Sequence, residues 1–175
     1  GSLTIQTGNG SGADTVNIEG LGSGFDADLT IDADNDDTIH FQTTATDIGN
    51  GNLTADAQTI NVTAAVSTAT TGAISMTTTE NIVVSGAGSI TTADGDITLS
   101  ANATGTATGD FTGIEVIGAT VTSTGSGAIT LTGHGGTTGG DQNGVVIQNG
   151  GQVLGGSGNV TVTGTGGSGP FLGQY

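Results

Sequence analysis

Apolar and hydroxyl-bearing residues alternate in short bursts along this chain, and the bursts recur. Gly127-Ala128-Ile129-Thr130-Leu131-Thr132-Gly133 returns as Gly158-Asn159-Val160-Thr161-Val162-Thr163-Gly164. A period of two sends successive side chains to opposite faces, so each unit predicts a short strand with one buried face. The same core is found at Ile97-Thr98-Leu99, Ile74-Ser75-Met76, Leu53-Thr54-Ala55, Leu29-Thr30-Ile31 and Leu3-Thr4-Ile5, which makes seven related strands. Their starts, at 3, 29, 53, 74, 97, 129 and 160, are 26, 24, 21, 23, 32 and 31 residues apart. Periods of this size signal a repeat architecture.

A second series, Val16-Asn17-Ile18, Ile39-His40-Phe41, Ile60-Asn61-Val62 and Ile82-Val83-Val84, keeps nearly the same step and continues at Ile114-Glu115-Val116 and Val145-Val146-Ile147. Two strands per coil are therefore expected, with a third position only near Val121 and Val153. The expected fold is all-β: one right-handed parallel β-helix, or β-solenoid, of about seven coils. At roughly 4.8 Å per stacked strand such a rod is on the order of 34 Å long. Residues 1–100 form its shorter coils of 21–26 residues, and residues 101–175 its longer coils of 31–32 residues. The extra length reads as Gly/Thr-rich loops at 104–110, 135–143 and 164–169. The ending Phe171-Leu172 resembles Phe111-Thr112, which leads into a strand, so the chain reads as part of a longer array. Tandem immunoglobulin-like β-sandwiches are the alternative fold, since they also space short strands regularly.

Composition sharpens this picture. Of 175 residues 35 are Gly, one is Pro, none is Cys and 3% are aromatic. A stacked coil can bury a thin continuous core from small β-branched residues where a conventional core would lack large ones. There is no Lys or Arg against 16 Asp and Glu. The carboxylates must be solvated, bonded to backbone N–H groups or neutralised by cations. Nucleic acid is excluded as a partner, because phosphate binding relies on Lys and Arg, and no run of about 18 apolar residues forms a membrane span.

The clearest candidate chemistry lies in the first coils. Asn9-Gly10-Ser11-Gly12-Ala13-Asp14-Thr15-Val16-Asn17 and Asp32-Ala33-Asp34-Asn35-Asp36-Asp37-Thr38-Ile39-His40 resemble the RTX calcium-binding nonapeptide G-G-x-G-x-D-x-U-x in degenerate form. The resemblance implies Ca2+, held by Asp14 and Asp37 with help from Asp34, Asp36 or the carbonyls of Gly10 and Gly12, since calcium takes hard oxygen ligands. Against this stands a plain ladder of Asp14, Asp37, Gln58 and Glu80 capping turns. Asp94-Gly95-Asp96 reads as an ordinary turn.

No catalytic residues are expected. Gly133-His134-Gly135 and Asp36-Asp37 match short elements of polygalacturonases, but three to four coils separate them and the basic substrate-binding residues of that family cannot exist here. His134 reads as a turn residue in a Gly loop, and His40 as a strand residue beside Asn17 and Asn61. Thr-x-Thr pairs at Thr68, Thr106, Thr130 and Thr161 raise ice binding, though exposed strands favour Thr in any case. Asn-x-Ser/Thr sequons at Asn9, Asn52, Asn61, Asn102 and Asn159 follow from the composition.

The Gly-x-Ile/Val-Thr-Leu/Val units at Gly95, Gly127 and Gly158, with Gly144-Val145-Val146-Ile147-Gln148-Asn149-Gly150-Gly151, resemble the repetitive passengers of large bacterial surface proteins of the filamentous-haemagglutinin and autotransporter-adhesin type. That resemblance implies an extracellular or cell-surface location. It implies a non-enzymatic role as stalk, fibre or adhesive surface, with neighbouring copies or adjoining repeats as partners and surface glycans as targets. A carbohydrate-binding or carbohydrate-active β-helix and an ice-binding Thr ladder are the alternatives.

Overall fold

The computed structural model describes residues 1–8, 10, 12–140 and 142–168. The expected new coil at Phe171-Leu172 lies outside the described residues, as do Asn9 and Ser11 of the first nonapeptide. Among the described residues all regular structure is β, with no helix, and every pairing between strands is parallel. Immunoglobulin-like sandwiches are built from antiparallel sheets, so the parallel stacking is consistent with the β-solenoid and not with that alternative.

The strands stack in three columns. Leu3, Leu29, Leu53, Ile74, Ile97, Ile129 and Val160 lie in direct register in the first. Val16, Ile39, Ile60, Ile82, Ile114 and Val145 do so in the second. Both columns belong to one eleven-stranded sheet. The third is a five-stranded sheet through Thr46, Val66, Ile90, Val121 and Val153, with Leu21 bridged to Thr46 at its start. The third position is thus present in the short coils too, not only near Val121 and Val153.

Where the first two columns are closest they fuse. Leu53–Val62 and Ile74–Ser85 run continuously through both, with a register shift between Ala57 and Thr59. Only seven residues separate Leu53 from Ile60, whereas seventeen separate Ile97 from Ile114 and sixteen Ile129 from Val145. The long coils therefore bulge at this one corner, where the insertions at 104–110 and 135–143 fall.

Inward positions form one apolar cluster running from Ile18 to Leu131. The leading glycine of each repeat unit has a steric cause. A Cβ on Gly95 would lie 1.9 Å from the Gly72 carbonyl oxygen, and one on Gly127 2.0 Å from that of Gly95. At this corner the backbones of neighbouring coils approach too closely for a side chain.

Candidate metal centre and outer faces

In the turn before Ile39, the chain reverses within Asp34-Asn35-Asp36-Asp37, closed by the Asp37 amide donating to the Asp34 carbonyl at 3.0 Å. This brings carboxylate oxygens of Asp34, Asp36 and Asp37 within 4.8 Å of one another. Asp37 is buried at 1% exposure. Its Oδ1 accepts the Asp14 amide at 2.7 Å and its Oδ2 the Asp34 amide at 3.1 Å. The hydroxyl of Thr7 and then these amides hold its carboxyl below the usual carboxylate value. Asp34 moves the other way: loss of solvent raises it first, then the charges of Asp37 and Asp36.

Of the four expected ligands, Asp34, Asp36 and Asp37 come together and Asp14 does not join their carboxylates. Asp14 is exposed and meets the turn through its backbone, donating N–H to Asp37 and accepting from Thr38 at 3.0 Å. The oxygen donor set suits a hard cation. Both oxygens of Asp37 already accept amides, which leaves Asp34 and Asp36 as the carboxylates facing solvent.

Elsewhere several acids act as acceptors for the next coil. Asp26 Oδ1 accepts the Asn50 amide at 2.7 Å, and Asp28 Oδ1 the Asn52 amide at 2.9 Å. Asp96 Oδ1 accepts the Ala128 amide at 2.7 Å. Asp94 Oδ1 accepts both the amide and hydroxyl of Ser126, which lowers its pKa. Asp94-Gly95-Asp96 is accordingly a turn braced to the coil above. In the Asp14, Asp37, Gln58, Glu80 ladder, Gln58 Nε2 donates to Glu80 at 3.2 Å, and desolvation raises the Glu80 carboxyl.

The outer face of the first column carries an array that short Thr-x-Thr matches did not reveal. Thr4, Thr30, Thr54, Ser75, Thr98, Thr130 and Thr161 are in register, one per strand. Beside them run Gln6, Asp32, Asp56, Thr77, Ser100, Thr132 and Thr163. From Ser75 onward the face is hydroxyl-bearing two residues wide. The coil register, obtained by aligning the apolar starts, was the signal that contained it.

His134 is not a loop residue. It ends the strand Ile129–His134 opposite Thr165, with its ring beside Gly105 and its buried Nδ1 without a hydrogen-bond partner. Four strand steps of the first column separate its coil from that of Asp36 and Asp37, roughly 19 Å at the usual spacing. His40 lies between Asn17 and Asn61, as expected. Asn102 is buried at 2%; its Nδ2 donates to the Gly135 carbonyl and its Oδ1 accepts the Ala107 amide. It braces the 102–107 loop and has no room for a glycan.

Two clefts open at the bulged corner. One of about 410 Å³ is lined by Asp56, Thr77, Thr79, Asn102 and Thr104 among others. Desolvation, then the Asp32 charge, pushes the Asp56 carboxyl up. The other, of about 260 Å³, is lined by Asp110, Phe111, Thr112 and Glu115 and by Asn81 from the neighbouring coil, the one member that the linear sequence did not suggest. No helix among the described residues is long and apolar enough to cross a membrane. The chain matches no family model, no curated protein and no solved structure.

Proposed function

We propose that the chain is a non-enzymatic extracellular structural or adhesive segment, a right-handed parallel β-solenoid of about seven coils that serves as stalk, fibre or surface component. The observation carrying this reading is that five carboxylates along the rod hold one coil to the next: Asp26, Asp28, Asp37, Asp94 and Asp96 all accept backbone amides of neighbouring coils. Such acids brace a scaffold without cationic side chains and are not free to act as acid or base. The Gly-led repeat units support a likeness to bacterial surface passengers. The test is incubation of the chain with acidic and neutral polysaccharides: no bond cleavage above background is expected, and turnover that disappears in Glu115→Gln would overturn the reading.

Calcium stabilisation is part of the proposal. Asp34 and Asp36 hold the ion at the solvent side of the turn, while Asp37 keeps the turn closed. A calcium-specific rise in melting temperature, absent with magnesium and lost in an Asp34→Asn, Asp36→Asn double variant, is the expected result, by preferential binding to the folded state. An identical melt in calcium and in EDTA overturns this part and leaves a metal-independent rod.

A second reading, binding to a repeating solid such as ice, is favoured by the hydroxyl array. Strand geometry sets its rows about 4.8 Å apart along the rod and about 6.6 Å across. Inhibition of ice recrystallisation that is lost in Thr98→Lys and Thr130→Lys would establish it; no inhibition by the native chain would dismiss it.

A further inference from the structure

The corner between the first two columns changes shape along the rod, and the change leaves a cleft. In the two middle coils the chain crosses this corner directly, within the continuous strands Leu53–Val62 and Ile74–Ser85. The coil before them carries the turn at 34–37 here, and the coil after them carries the loop at 102–107. The flat stretch is therefore walled on both sides. The cleft of about 410 Å³ is lined by Asn35 from the turn, by Asp56, Thr77 and Thr79 from the floor, and by Ala103 and Thr104 from the loop. Its size falls within the range of small-ligand sites, roughly 300–1,000 Å³. Both floor strands are paired on either side, so the cleft belongs to the middle of the rod.

The loop wall is preformed. Asn102 is buried, with its Nδ2 donating to the Gly135 carbonyl at 3.2 Å and its Oδ1 accepting the Ala107 amide at 3.2 Å. Its amide donates to the Thr78 carbonyl at 2.9 Å, and the hydroxyls of Thr104 and Thr106 bond to each other at 2.8 Å. A wall already held in place loses little freedom when a ligand arrives.

Two polar groups of the cleft lack partners within the chain. Thr78 lines it at 3% exposure, and its Oγ1 makes no hydrogen bond. The half-buried Asp56 carboxylate accepts no hydrogen bond from any described residue, and loss of solvent is the main influence on it. Native structures leave few such groups unpaired.

The lining selects the chemistry of an occupant. Asp56 and the absence of any Lys or Arg reject anions. A purely apolar ligand would bury the carboxylate without donors, at a large cost. A bare divalent cation would find a single carboxylate in the lining, whereas the cluster that suits one lies at Asp34, Asp36 and Asp37. A neutral ligand bearing several hydroxyl groups meets each demand: it donates to Asp56, exchanges hydrogen bonds with Asn35 and the threonines, and lays its C–H faces on the methyl groups of Ala103 and Ala107.

We propose that this cleft binds a neutral sugar, with Asp56 as the principal hydrogen-bond acceptor and the 102–107 loop as its fixed wall. The inference gives the adhesive form of the proposed function a site and a ligand class, and it rests on that reading.

The test is titration calorimetry on the full chain in EDTA, with glucose, galactose, mannose, N-acetylglucosamine and their linear trisaccharides as probes. At least one probe is expected to bind wild type. Asp56→Asn and Thr77→Lys, the latter at an exposed floor position, should each weaken that binding about tenfold or more, the scale of one hydrogen bond to a charged group. Thr71→Lys adds the same charge at an exposed turn residue just before the same strand and should leave binding unchanged. Circular dichroism verifies that each variant folds, and Thr77→Gln serves if the lysine variant does not. No binding of any probe to folded wild type would overturn the inference and leave the structural-segment reading intact. Binding that survives both floor variants would overturn the assignment to this cleft. Binding that requires calcium and is lost in the Asp34→Asn, Asp36→Asn double variant would overturn it in favour of an ion-held sugar. Cleavage of a bound trisaccharide that is lost with Asp56→Asn would overturn the non-enzymatic reading while supporting the cleft as the sugar site.

Discussion

Leu99, Leu131 and Val162 stand in one inward-facing row, on strands that pair directly. Leu99 and Leu131 are fully buried, while Val162 is 44% exposed. Sequence context does not separate them, since each follows an outward hydroxyl and precedes another. What differs is the number of coils stacked against them. In this architecture a side chain is buried by its neighbours above and below, so the middle and the ends of one row differ in energetics while sharing the same local structure.

The largest expected effect sharpens that contrast. Leu99→Ala should cost about 3 kcal/mol, within the range for truncating a fully buried leucine, whereas Val162→Ala should cost under about 1 kcal/mol in the isolated chain, because less apolar area is lost from a half-exposed site. Urea midpoints of the two variants make the comparison. Equal losses would mean that the terminal coil is packed as firmly as the middle.

Glycines give the next contrast. Gly127 sits in the corner where a Cβ would meet the Gly95 carbonyl at 2.0 Å, while Gly140, in the bulged loop, has nothing within 4 Å of its Cβ position. Gly127→Ala must push two coils apart and should cost about 2 kcal/mol; Gly140→Ala should stay within about 0.5 kcal/mol of wild type. Thermal melts that rank the two in the opposite order would show that the corner yields more easily than its geometry implies.

A third contrast is between acids. The carboxyl of Asp37 is held below the ordinary value by hydrogen bonds from Thr7, Asp14 and Asp34. A depressed folded-state pKa contributes stability that is present above the unfolded value, near 4, and lost as pH falls through the folded value. Asp37→Asn should therefore melt below wild type at pH 7 in EDTA, with the gap closing as the pH drops below about 4. A gap that stays constant with pH would mean that shape, not charge, is what Asp37 supplies.

The first two columns were legible because each strand there shows apolar residues at alternate positions, around a polar one in all but Ile82-Val83-Val84 and Val145-Val146-Ile147, and aligning their starts fixed the register residue by residue. The third column was not. In the short coils it consists of Thr46-Asp47, Ala65–Ser67 and Ser89–Thr92, pieces with at most one large inward apolar side chain and no apolar–polar–apolar alternation to detect. His134 was misplaced for a similar reason: Gly133 takes the inward position that Ala101 fills one coil below, so the strand looked finished at Thr132. The Asp34, Asp36, Asp37 cluster was visible as a run of acids. That Asp37 turns inward onto the amides of Asp14 and Asp34 was not, because the partner amide of Asp14 lies 23 residues away and backbone donors leave no trace in side-chain pattern.

The smallest effect reverses the sign of the Asp37 case. Asp56 faces the cleft under the 102–107 loop, and desolvation, followed by Asp32 directly beneath it, raises its pKa. A raised carboxyl is a penalty on the folded state wherever the group is ionised, so it is fully present at neutral pH and vanishes as the group protonates. Asp56→Asn should melt slightly above wild type at pH 7, with the advantage fading as pH falls through the raised value. Asp32→Asn should recover part of the same gain by removing the like charge one strand away. Solvent screens both groups, which keeps the shift small. If Asp56→Asn instead melts lower at pH 7, its carboxylate is holding the loop in place, and the acidic coils are braced at this corner as tightly as at Asp37.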